Sequence, residues 1–452
     1  MRLPVLALLA VAMLLLGTGP ARATTEVVVW HAMNGTAGDE FTALVNRFNE
    51  EQKAVHVTLQ YKGDAKATVE AAVAALQTPN APELVQVQDE VTERLIGLPG
   101  AVRPIYEILP LAKSPDFNFL IPSSVTFMKD AKGRLYGFPY RASVPVLLYN
   151  RDAYVKAGLD PDKPPRTWRD LQSQLLALRE NIQDLQCPYT TSEMSWIHVE
   201  NLATWHGESF ASKNNGLEGP GAVLTFNDLL HVRHVALLES WVKSSLFKYF
   251  GHEREGDVHF ASGECATLTT GSDALGEILA SAKFKVGVAP MPFYEEGAHQ
   301  PANTLVNGSA FWAIGGKKPD QYKAVAEFLA YLATPVAAAQ WTQETGSLPL
   351  TTAALRASVN STGYERAPGM AGVMELASLS GGPAARGVRL PNFDKVRDAV
   401  DAELEQVWSG QKPAKEALDD AVREGDLAMH TVTPKPKPEA KPSGAKSPKK
   451  AT

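Results

Sequence analysis

Between residues 25 and 88 the sequence alternates between two hydrophobic periods, and this alternation restricts the fold more than any other feature. Three short segments are typical of strands: "TEVVVW" (25–30), "VHVTLQY" (55–61) and "ELVQVQ" (83–88). The segments between them, "GDEFTALVNRFNEEQ" (38–52) and "AKATVEAAVAALQ" (65–77), repeat apolar residues at helical spacing. Such alternation predicts an α/β protein with a mainly parallel sheet.

The same alternation predicts where a site lies. In open α/β sheets, ligands bind beyond the carboxyl ends of the strands. We therefore expect functional side chains in the loops that follow Trp30, Tyr61 and Val87.

Later parts of the chain repeat the pattern. Val144–Tyr149 indicates a buried strand, and Thr167 is the expected N-cap of the amphipathic helix "TWRDLQSQLLALREN" (167–181). "GVAPMP" (287–292) and "SAFWAIGG" (309–316) indicate further strands. The 452 residues exceed what one hydrophobic core usually supports, so we expect two lobes.

The amino terminus has the three parts of a secretory signal peptide. Arg2 is followed by the apolar run Leu3–Leu16 and then by the A-x-A site Ala21-Arg22-Ala23. The apolar run is shorter than the ~20 residues that a membrane-spanning helix needs. We predict that residues 1–23 are removed during export, that the mature chain begins at Thr24, and that the protein is periplasmic.

Charge is unevenly distributed along the chain. Residues 433–452 contain six Lys and one Glu, a charge of +5, and subtracting it from the total of −6 leaves −11 for the rest. An acidic body argues against a nucleic-acid partner, which binds a basic face. Residues 431–452 are rich in Lys and Pro and have little apolar surface to bury, so we predict a disordered tail.

The sequence contains no motif that demands catalysis or a cofactor. G-x-S-x-G, H-E-x-x-H, Walker and C-x-x-C motifs do not occur. His231 and His234 are close enough on a helix to share a metal, but no third ligand follows at a useful spacing. We therefore expect neither a metal nor a cofactor.

Two cysteines, Cys187 and Cys265, occur in the chain. In an oxidising compartment they can form a single disulfide, and two buried free thiols are the alternative. The sequence leaves both alternatives open.

Five longer stretches are each similar to a segment of one protein family. They are "WHAMNG" (30–35), "YNRDAYVKAGLDPDKPPRTWRDL" (149–171), "WIHVENLATWHGESFASKNNG" (196–216), "HFASGECATLTTGSDAL" (259–275) and "GVRLPNFDKVRDAVDAELEQVWSGQKPAKEALDDAV" (387–422). Together they resemble the extracellular solute-binding proteins, and among these the glycerol 3-phosphate-binding components of ATP-driven importers. The resemblance covers roughly Thr24–Met429.

The resemblance implies a periplasmic-binding-protein type II fold, in which two discontinuous α/β lobes are joined by a hinge. It assigns residues 24–140 and 288–333 to lobe I, and residues 141–287 and 334–430 to lobe II. It also implies a monomer that binds a small-molecule solute between the lobes and docks on the permease subunits of an ABC transporter.

Roles for individual residues also come from the resemblance. Asp89 is expected to hold glycerol hydroxyls, with Glu90 as the one-residue alternative. Ser143 and the backbone amide of Gly308 are expected to donate to the ligand. Arg397 is expected to bind a phosphate, because a guanidinium matches phosphate oxygens bidentately.

Trp196 is expected to form an apolar wall of the pocket. Each of these roles has a structural alternative. Trp196 can belong to the core and Arg397 to a surface ion pair, whereas Asp89, Ser143 and Gly308 can serve caps or turns.

Several positions depart from the family pattern. Ala65 and Ser347 stand where the family has tyrosines, and Gly271 replaces a serine although Ser272 is adjacent. Glu193 replaces a tryptophan and Arg141 an asparagine. These changes predict a wider pocket with a new negative charge, and the further candidate binding residues are Glu193, Ser272, Ser347, Arg141 and Glu90.

The departures favour a ligand longer than glycerol 3-phosphate. A glycerophosphodiester such as glycerophosphocholine keeps a phosphate for Arg397 and brings a cationic end to Glu193 and Trp196. A neutral di- or oligosaccharide is the nearest alternative, since sugar sites also combine aromatic rings with carboxylates. Two other classes stay open: a secreted hydrolase that uses Asp89 or Glu90 with Glu193, and an envelope protein anchored by the tail.

Overall fold

The computed structural model describes residues 24–76, 78–113, 128–129, 132–295, 304–359, 365–378 and 382–431. The predicted signal peptide and the tail from residue 432 onward lie outside the described residues. The described residues form two sheets surrounded by helices.

The strands of the described residues follow the predicted pattern at the amino terminus and add others later. In chain order they are β1 (Thr25–His31), β2 (Val55–Tyr61), β3 (Leu84–Gln88), β4 (Val102–Arg103), β5 (Phe138–Ser143), β6 (Pro145–Asn150), β7 (Cys187–Thr191), β8 (Cys265–Gly271), β9 (Val286–Pro290) and β10 (Asn307–Ile314).

Both sheets are mixed. The first has the order β2-β1-β3-β10-β4, with β5 also paired to β10; β1 is parallel to β2 and β3, whereas β10 is antiparallel to all its partners. The second has the order β7-β8-β6-β9, in which β7 and β8 are parallel and β6 is antiparallel to both neighbours. The expectation of a mainly parallel sheet is therefore wrong. The reason is that β10 enters the first sheet from the opposite direction, after the chain has built the second sheet.

The helices lie between and around these strands. They are α1 (Gly35–Glu51), α2 (Ala65–Ala75), α3 (Glu93–Ile96), α4 (Ile105–Ile108), α5 (Arg151–Lys156), α6 (Trp168–Asn181), α7 (Asn201–Trp205), α8 (Ser212–Asn215), α9 (Leu229–Lys243), α10 (Glu255–Ala261), α11 (Leu275–Ser281), α12 (Pro319–Leu332), α13 (Pro335–Thr345), α14 (Thr352–Val359), α15 (Met370–Ser378), α16 (Phe393–Trp408) and α17 (Ala414–His430).

Local sequence explains the ends and faces of these helices. In α1, the apolar residues at helical spacing, among them Phe41 and Leu44, are the ones buried against the first sheet. In α6, Thr167 accepts from the amide of Asp170 at 3.0 Å, and the Asp170 carboxylate accepts from the amide of Thr167 at 3.0 Å. The predicted N-cap is therefore confirmed, and it belongs to a reciprocal capping box.

The chain crosses between the two sheets at the ends of strands. β5 ends at Ser143 and β6 begins at Pro145, so Val144 alone joins the two sheets at this point. The next crossing joins Pro290 of β9 to Asn307 of β10. Both crossings bring strand ends of one sheet next to strand ends of the other.

Aromatic packing shows which sheet each of two later helices covers. Trp341 of α13 stacks on Tyr140 of β5 with 4.4 Å between ring centroids, and its indole N–H donates to the Tyr140 carbonyl at 3.1 Å. α13 thus packs on the first sheet, although the sequence-based division assigns 334–430 to lobe II. Trp408 of α16 packs on Phe247 in the core of the second sheet. The lobe bounds themselves stay a prediction.

A disulfide joins the second sheet at one end. Cys187 of β7 and Cys265 of β8 are paired neighbours on adjacent parallel strands, and their sulfurs are bonded. Of the two alternatives that the sequence leaves open, the structure contains the disulfide. Closing a loop of 78 residues stabilises the fold by about 4 kcal/mol in the chain-entropy account.

Candidate functional site

A cavity of about 780 Å³ lies where strand ends of the two sheets face each other. Gln88, at the end of β3, and Ser143, at the end of β5, line it from the first sheet. Glu193 and Asp273, which follow β7 and β8, line it from the second. This volume is in the usual range of small-molecule sites, which lie preferentially at such strand ends.

Most of the candidate binding residues meet at this cavity, although they come from distant parts of the chain. Those that line it are Glu90, Arg141, Ser143, Glu193, Trp196, Gly308 and Arg397.

Three other candidates lie elsewhere. Asp89 lies behind Arg397, 3.4 Å from its guanidinium, and lines a small adjoining pocket. Ser272 and Ser347 are fully buried outside the cavity wall. Ser272 accepts from the amide of Val144 at 3.3 Å, and Ser347 hydrogen-bonds to the Thr345 hydroxyl at 2.9 Å.

Gly308 lines the cavity, and steric crowding explains why a glycine occupies this position. Its φ is +139°, and a Cβ at this position would lie 1.8 Å from the carbonyl oxygen of Arg141 on β5. Any side chain would therefore push β5 away from β10. The Gly308 amide donates to the Asn307 side chain, so its expected contact with a ligand stays a prediction.

Glu193 and Trp196 lie on an unusual turn after β7. Glu193 has a φ of +49°, in the left-handed region, and such a residue typically costs about 1–3 kcal/mol and is found at functional sites. Trp196 begins a π-helix, Trp196–Glu200, a rare form that is also frequent at functional sites. The turn and the π-helix bring both residues to the cavity wall, but the Trp196 side chain is only 2% exposed and packs in the core of the second sheet.

Arg397 is surrounded by three carboxylates, and we name this group the Arg397 cluster (Arg397, Asp89, Glu90 and Glu200). Glu200 accepts from Nε at 2.7 Å and from Nη2 at 2.9 Å. Glu90 accepts from Nη1 at 3.0 Å, and Asp89 from Nη2 at 3.4 Å. Burial raises the pKa of Asp89 well above its ordinary value despite the attraction of Arg397, which favours the neutral, proton-donating form of this carboxyl.

A second group on the opposite part of the wall is the Arg254 cluster (Arg254, Arg141, Glu193, Asp257 and Asp273). Arg254 Nη2 donates to Asp273 at 3.0 Å and to Glu193 at 3.1 Å, and Nη1 lies 3.6 Å from Asp257. Arg141 pairs with the other oxygen of Asp273 at 2.7 Å. Here two guanidiniums face three carboxylates.

The two arginines of this cluster affect the pKa values of its carboxyl groups to different extents. Burial opposes ionisation of Asp273, yet Arg254 and Arg141 hold its pKa below the ordinary value. Glu193 has one arginine partner, and burial raises its pKa to about 7 against the attraction of Arg254. A carboxyl with this pKa changes its charge within the neutral range.

Asp401 is a cavity carboxylate whose hydrogen-bond partner is a serine and not an arginine. It lines the cavity from α16, and its oxygens accept from the amide of Ser195 at 3.0 Å and from the Ser195 hydroxyl at 3.3 Å. Among the residues that the structure describes, no Lys or Arg is in ion-pair contact with it. Burial raises the pKa of Asp401 to about 7.

Carboxylates outnumber basic groups along the wall. Four Lys and Arg residues line the cavity, Lys66, Arg141, Arg254 and Arg397, and His252 lines it as well. The acidic residues that line it are ten: Asp64, Glu90, Glu193, Glu253, Asp257, Asp273, Glu277, Asp394, Asp398 and Asp401. The wall therefore carries a negative excess that disfavours a strongly anionic ligand.

Four charged residues of the site that were not candidates from the sequence are Glu200, Asp401, Arg254 and Asp273. Glu200 is four residues after Trp196 and Asp401 is four residues after Arg397, so helical spacing from the two candidates was the available signal. Arg254 lies in "GHEREGDVH" (251–259), whose composition is typical of a solvated loop, and Asp273 follows a strand without any motif. No local signal marks the latter two.

His231 and His234 do not converge on a metal. His234 hydrogen-bonds to His198 at 2.9 Å, and His231 bonds to Asp228 at 2.9 Å. Burial lowers the pKa of His198 to about 3, so the buried pair of His198 and His234 is neutral at pH 7. In the described part of the chain, no group of three or more His, Cys, Asp or Glu residues is arranged to hold a metal ion.

Two mixed sheets whose facing strand ends enclose a polar cavity define a protein that holds a small molecule between two α/β units. Among the described residues, no helix is both long and apolar enough to cross a membrane. The family model of bacterial extracellular solute-binding proteins matches residues 43–372. The chain belongs to this bacterial extracellular solute-binding protein family.

Curated relatives cover almost the whole chain. The sn-glycerol-3-phosphate-binding periplasmic protein UgpB of Yersinia enterocolitica is 38% identical over 428 residues, which are 93% of this chain and 96% of the relative. The protein of the same name from Salmonella typhimurium is 38% identical over 427 residues, again 93% and 96%.

Solved structures share the fold. UgpB from Mycobacterium tuberculosis in complex with glycerophosphocholine has a TM-score of 0.71 at 18% identity, covering 90% of this chain and 99% of that one. The GacH receptor of Streptomyces glaucescens has a TM-score of 0.70 at 18% identity, covering 91% and 100%. The predicted periplasmic-binding-protein type II fold is confirmed.

Proposed function

We propose that this chain captures a solute containing glycerol phosphate in the periplasm and delivers it to the permease subunits of an ABC transporter. The proposal is supported by the curated relatives, which are named for sn-glycerol 3-phosphate and are 38% identical over 93% of the chain. The leader at residues 1–23 is proposed to export the chain, and the two lobes to close on the solute about the crossings between the sheets.

The proposed ligand is a glycerophosphodiester with a cationic end, such as glycerophosphocholine. The observation that carries this choice is the excess of ten acidic residues over four Lys and Arg residues along the cavity. A phosphate monoester brings about −1.5 to −2 charges at pH 7, and placing it here adds repulsion. A diester carries a single negative charge, and a cationic end cancels it.

Individual residues are proposed to bind different parts of the ligand. Arg397 binds the phosphate through its planar guanidinium, and Asp89, in its neutral form, donates a hydrogen bond to the glycerol phosphate end. Ser143 supplies a further hydroxyl from the strand crossing, and Trp196 provides an apolar wall. The protein is proposed to act as a monomer, without catalysis, cofactor or nucleic acid.

Thermal-shift screening of the mature chain tests the proposal. The panel consists of glycerophosphocholine, sn-glycerol 3-phosphate, maltotriose and buffer alone. A ligand that binds only the folded protein adds about 2.7 kcal/mol of stability at a hundredfold excess over Kd, so the largest shift is expected with glycerophosphocholine. A shift with maltotriose alone would contradict the proposal, and release of choline or glycerol during incubation would support the hydrolase alternative.

A neutral oligosaccharide is the second candidate ligand. Several proteins with the same fold were solved with sugars, among them MalE3 of T. maritima with maltose at a TM-score of 0.68, and the wall combines Trp196 with many carboxylates. Arg397→Ala separates the two candidates. It is expected to abolish binding of a phosphodiester and only to weaken that of a sugar, which has no anion for the guanidinium.

A further inference from the structure

We propose that Asp401 forms the subsite that receives the positively charged end of the ligand, an onium group held one short spacer from the phosphate. This inference rests on the proposed function and specifies which residue reads the cationic end. It replaces Glu193, which the sequence analysis favoured for that role, because the Glu193 carboxylate is already paired with Arg254 at 3.1 Å.

Partners and burial together distinguish Asp401 from the surrounding acids. Among the described residues, the wall acids Asp64, Glu253 and Glu277 also lack a Lys or Arg partner, but they are exposed. Glu200 and Glu90 are bound by Arg397 at 2.7 and 3.0 Å, and Asp398 pairs with Lys66 at 3.2 Å. Asp401 is partly buried, yet within the described structure it has no Lys or Arg partner. A carboxylate in such surroundings favours a cation that the ligand supplies.

One neighbour could be mistaken for that cation. The His252 ring lines the same cavity, but its Nδ1 bonds to Glu405 at 3.1 Å, and its side chain is 48% exposed. Against the effect of burial, the hydrogen bond to Glu405 and the attraction of Asp401 raise the pKa of His252. His252 therefore bonds directly to Glu405 and acts on Asp401 only through space. Asp401 instead receives two neutral donors, both from Ser195.

Ser195 also sets the geometry of the subsite. Its amide and hydroxyl hold the Asp401 carboxylate at the cavity wall. An onium group beside this carboxylate gains a charge–charge attraction.

The spacing along α16 matches a short phosphate–onium spacer. Arg397 and Asp401 are four residues apart on the same helix and both face the cavity, so their Cβ atoms are about 5–6 Å apart. A two-carbon bridge between a phosphate and an ammonium has a similar reach. One helix face therefore presents a guanidinium for the phosphate and a carboxylate for the cation, in the order and at the distance that the ligand class requires.

Isothermal calorimetry on the full mature chain tests the subsite with two matched diesters. Glycerophosphocholine carries a cation beyond the phosphate, and glycerophosphoglycerol carries a neutral end in its place. Asp401→Asn is expected to raise the Kd for glycerophosphocholine by about tenfold or more and to change that for glycerophosphoglycerol by less than about twofold. Asp401→Glu, which keeps the charge, is expected to retain the preference for the choline diester.

Glu403→Gln is the matched control, because Glu403 lies on the same helix but pairs with Lys412 away from the cavity. It should leave both affinities unchanged. Equal losses for both diesters in Asp401→Asn, or no loss for the choline diester, would overturn the subsite while the proposed function stands. If the unaltered protein binds neither diester, the proposed function fails and the subsite fails with it.

Discussion

The two arginine clusters of the cavity wall differ in how many arginines their carboxyl groups share. In the Arg397 cluster one guanidinium faces three carboxylates, and two of these, Asp89 and Glu90, follow β3 of the first sheet. Arg397 itself lies on α16, which packs in the core of the second sheet. This cluster therefore ties the two sheets together across the cavity.

The Arg254 cluster contains a second guanidinium and also joins the two sheets, because Arg141 lies on β5 of the first sheet and pairs with Asp273 of the second. Two guanidiniums face three carboxylates, and those carboxylates follow or pack beside β7 and β8 of the second sheet. Despite burial, the pKa of Asp273 stays below the ordinary value because two arginines pair with this carboxylate. Burial raises the pKa of Asp89 instead, because Asp89 shares its one arginine, Arg397, with two other carboxylates. We infer that the Arg397 cluster is the part that a ligand reorganises, and that the Arg254 cluster is a fixed wall.

The largest difference is expected when each arginine is removed in turn. Arg397→Gln leaves three carboxylates facing one another without a cation, and breaking such a buried arrangement typically costs about 3–5 kcal/mol. We expect a loss of this size in urea unfolding at pH 8. Arg423→Gln, at an exposed helical ion pair, serves as control and should change the unfolding free energy by less than about 1 kcal/mol. A loss as small as that of the control would contradict the balance of charges described above.

Arg254→Gln is expected to cost less. Asp273 retains Arg141 at 2.7 Å after the substitution, so only Glu193 and Asp257 lose their cation. The expected loss is about 1.5–3 kcal/mol, the range for hydrogen bonds to charged groups. The comparison of the two clusters fails if Arg254→Gln destabilises the protein more than Arg397→Gln under the same conditions.

Glu200→Gln sharpens the comparison by moving the Arg397 cluster toward neutrality. The amide keeps the shape of the side chain and removes one negative charge beside the guanidinium. Binding of the dianion sn-glycerol 3-phosphate should then tighten by about tenfold, or about 1.4 kcal/mol, with a smaller gain for glycerophosphocholine. Titration calorimetry of both ligands measures this change, and equal gains for both would speak against charge selection.

The smallest expected effect concerns Asp401 and the pH. Its pKa in the folded protein is about 7, above the ordinary value of 3.8, so the folded state binds the proton more tightly than the unfolded chain does. Its penalty is absent at low pH and grows as the pH rises toward 7. Relative to the unaltered protein, Asp401→Asn should therefore be more stable at pH 8 than at pH 6.5 by about 1 kcal/mol. Urea unfolding at both values tests this, and a pH-independent difference would contradict it.

How much of this was open to prediction varies from element to element. The alternation of 25–88 predicts β1, α1, β2, α2 and β3, because side chains on half-buried strands and helices repeat at fixed periods. The antiparallel direction of β10 depends on long-range connectivity, which local periodicity does not predict. The position of Trp341 against Tyr140 depends on the same long-range packing.

The candidate site divides in a similar way. The resemblance led to Arg397, Trp196, Ser143 and Gly308, all of which line the cavity. It could not indicate Arg254, because an arginine in a charged loop has the same local sequence whether it faces solvent or a buried Asp273. Ser347 is a predicted site residue that does not line the cavity. A tyrosine is expected at this position, but the serine is too short to reach the cavity and hydrogen-bonds to Thr345 instead.

The central claim is that an acid-rich cavity selects a phosphodiester whose charge is cancelled by its own cation. The most direct test is the ratio of the two dissociation constants of the mature protein for glycerophosphocholine and sn-glycerol 3-phosphate, measured by calorimetry at pH 7.5 in the same buffer. The account predicts that glycerophosphocholine binds more tightly, by about tenfold or more. Tighter binding of sn-glycerol 3-phosphate, or binding of maltotriose with neither phosphate compound bound, would contradict it.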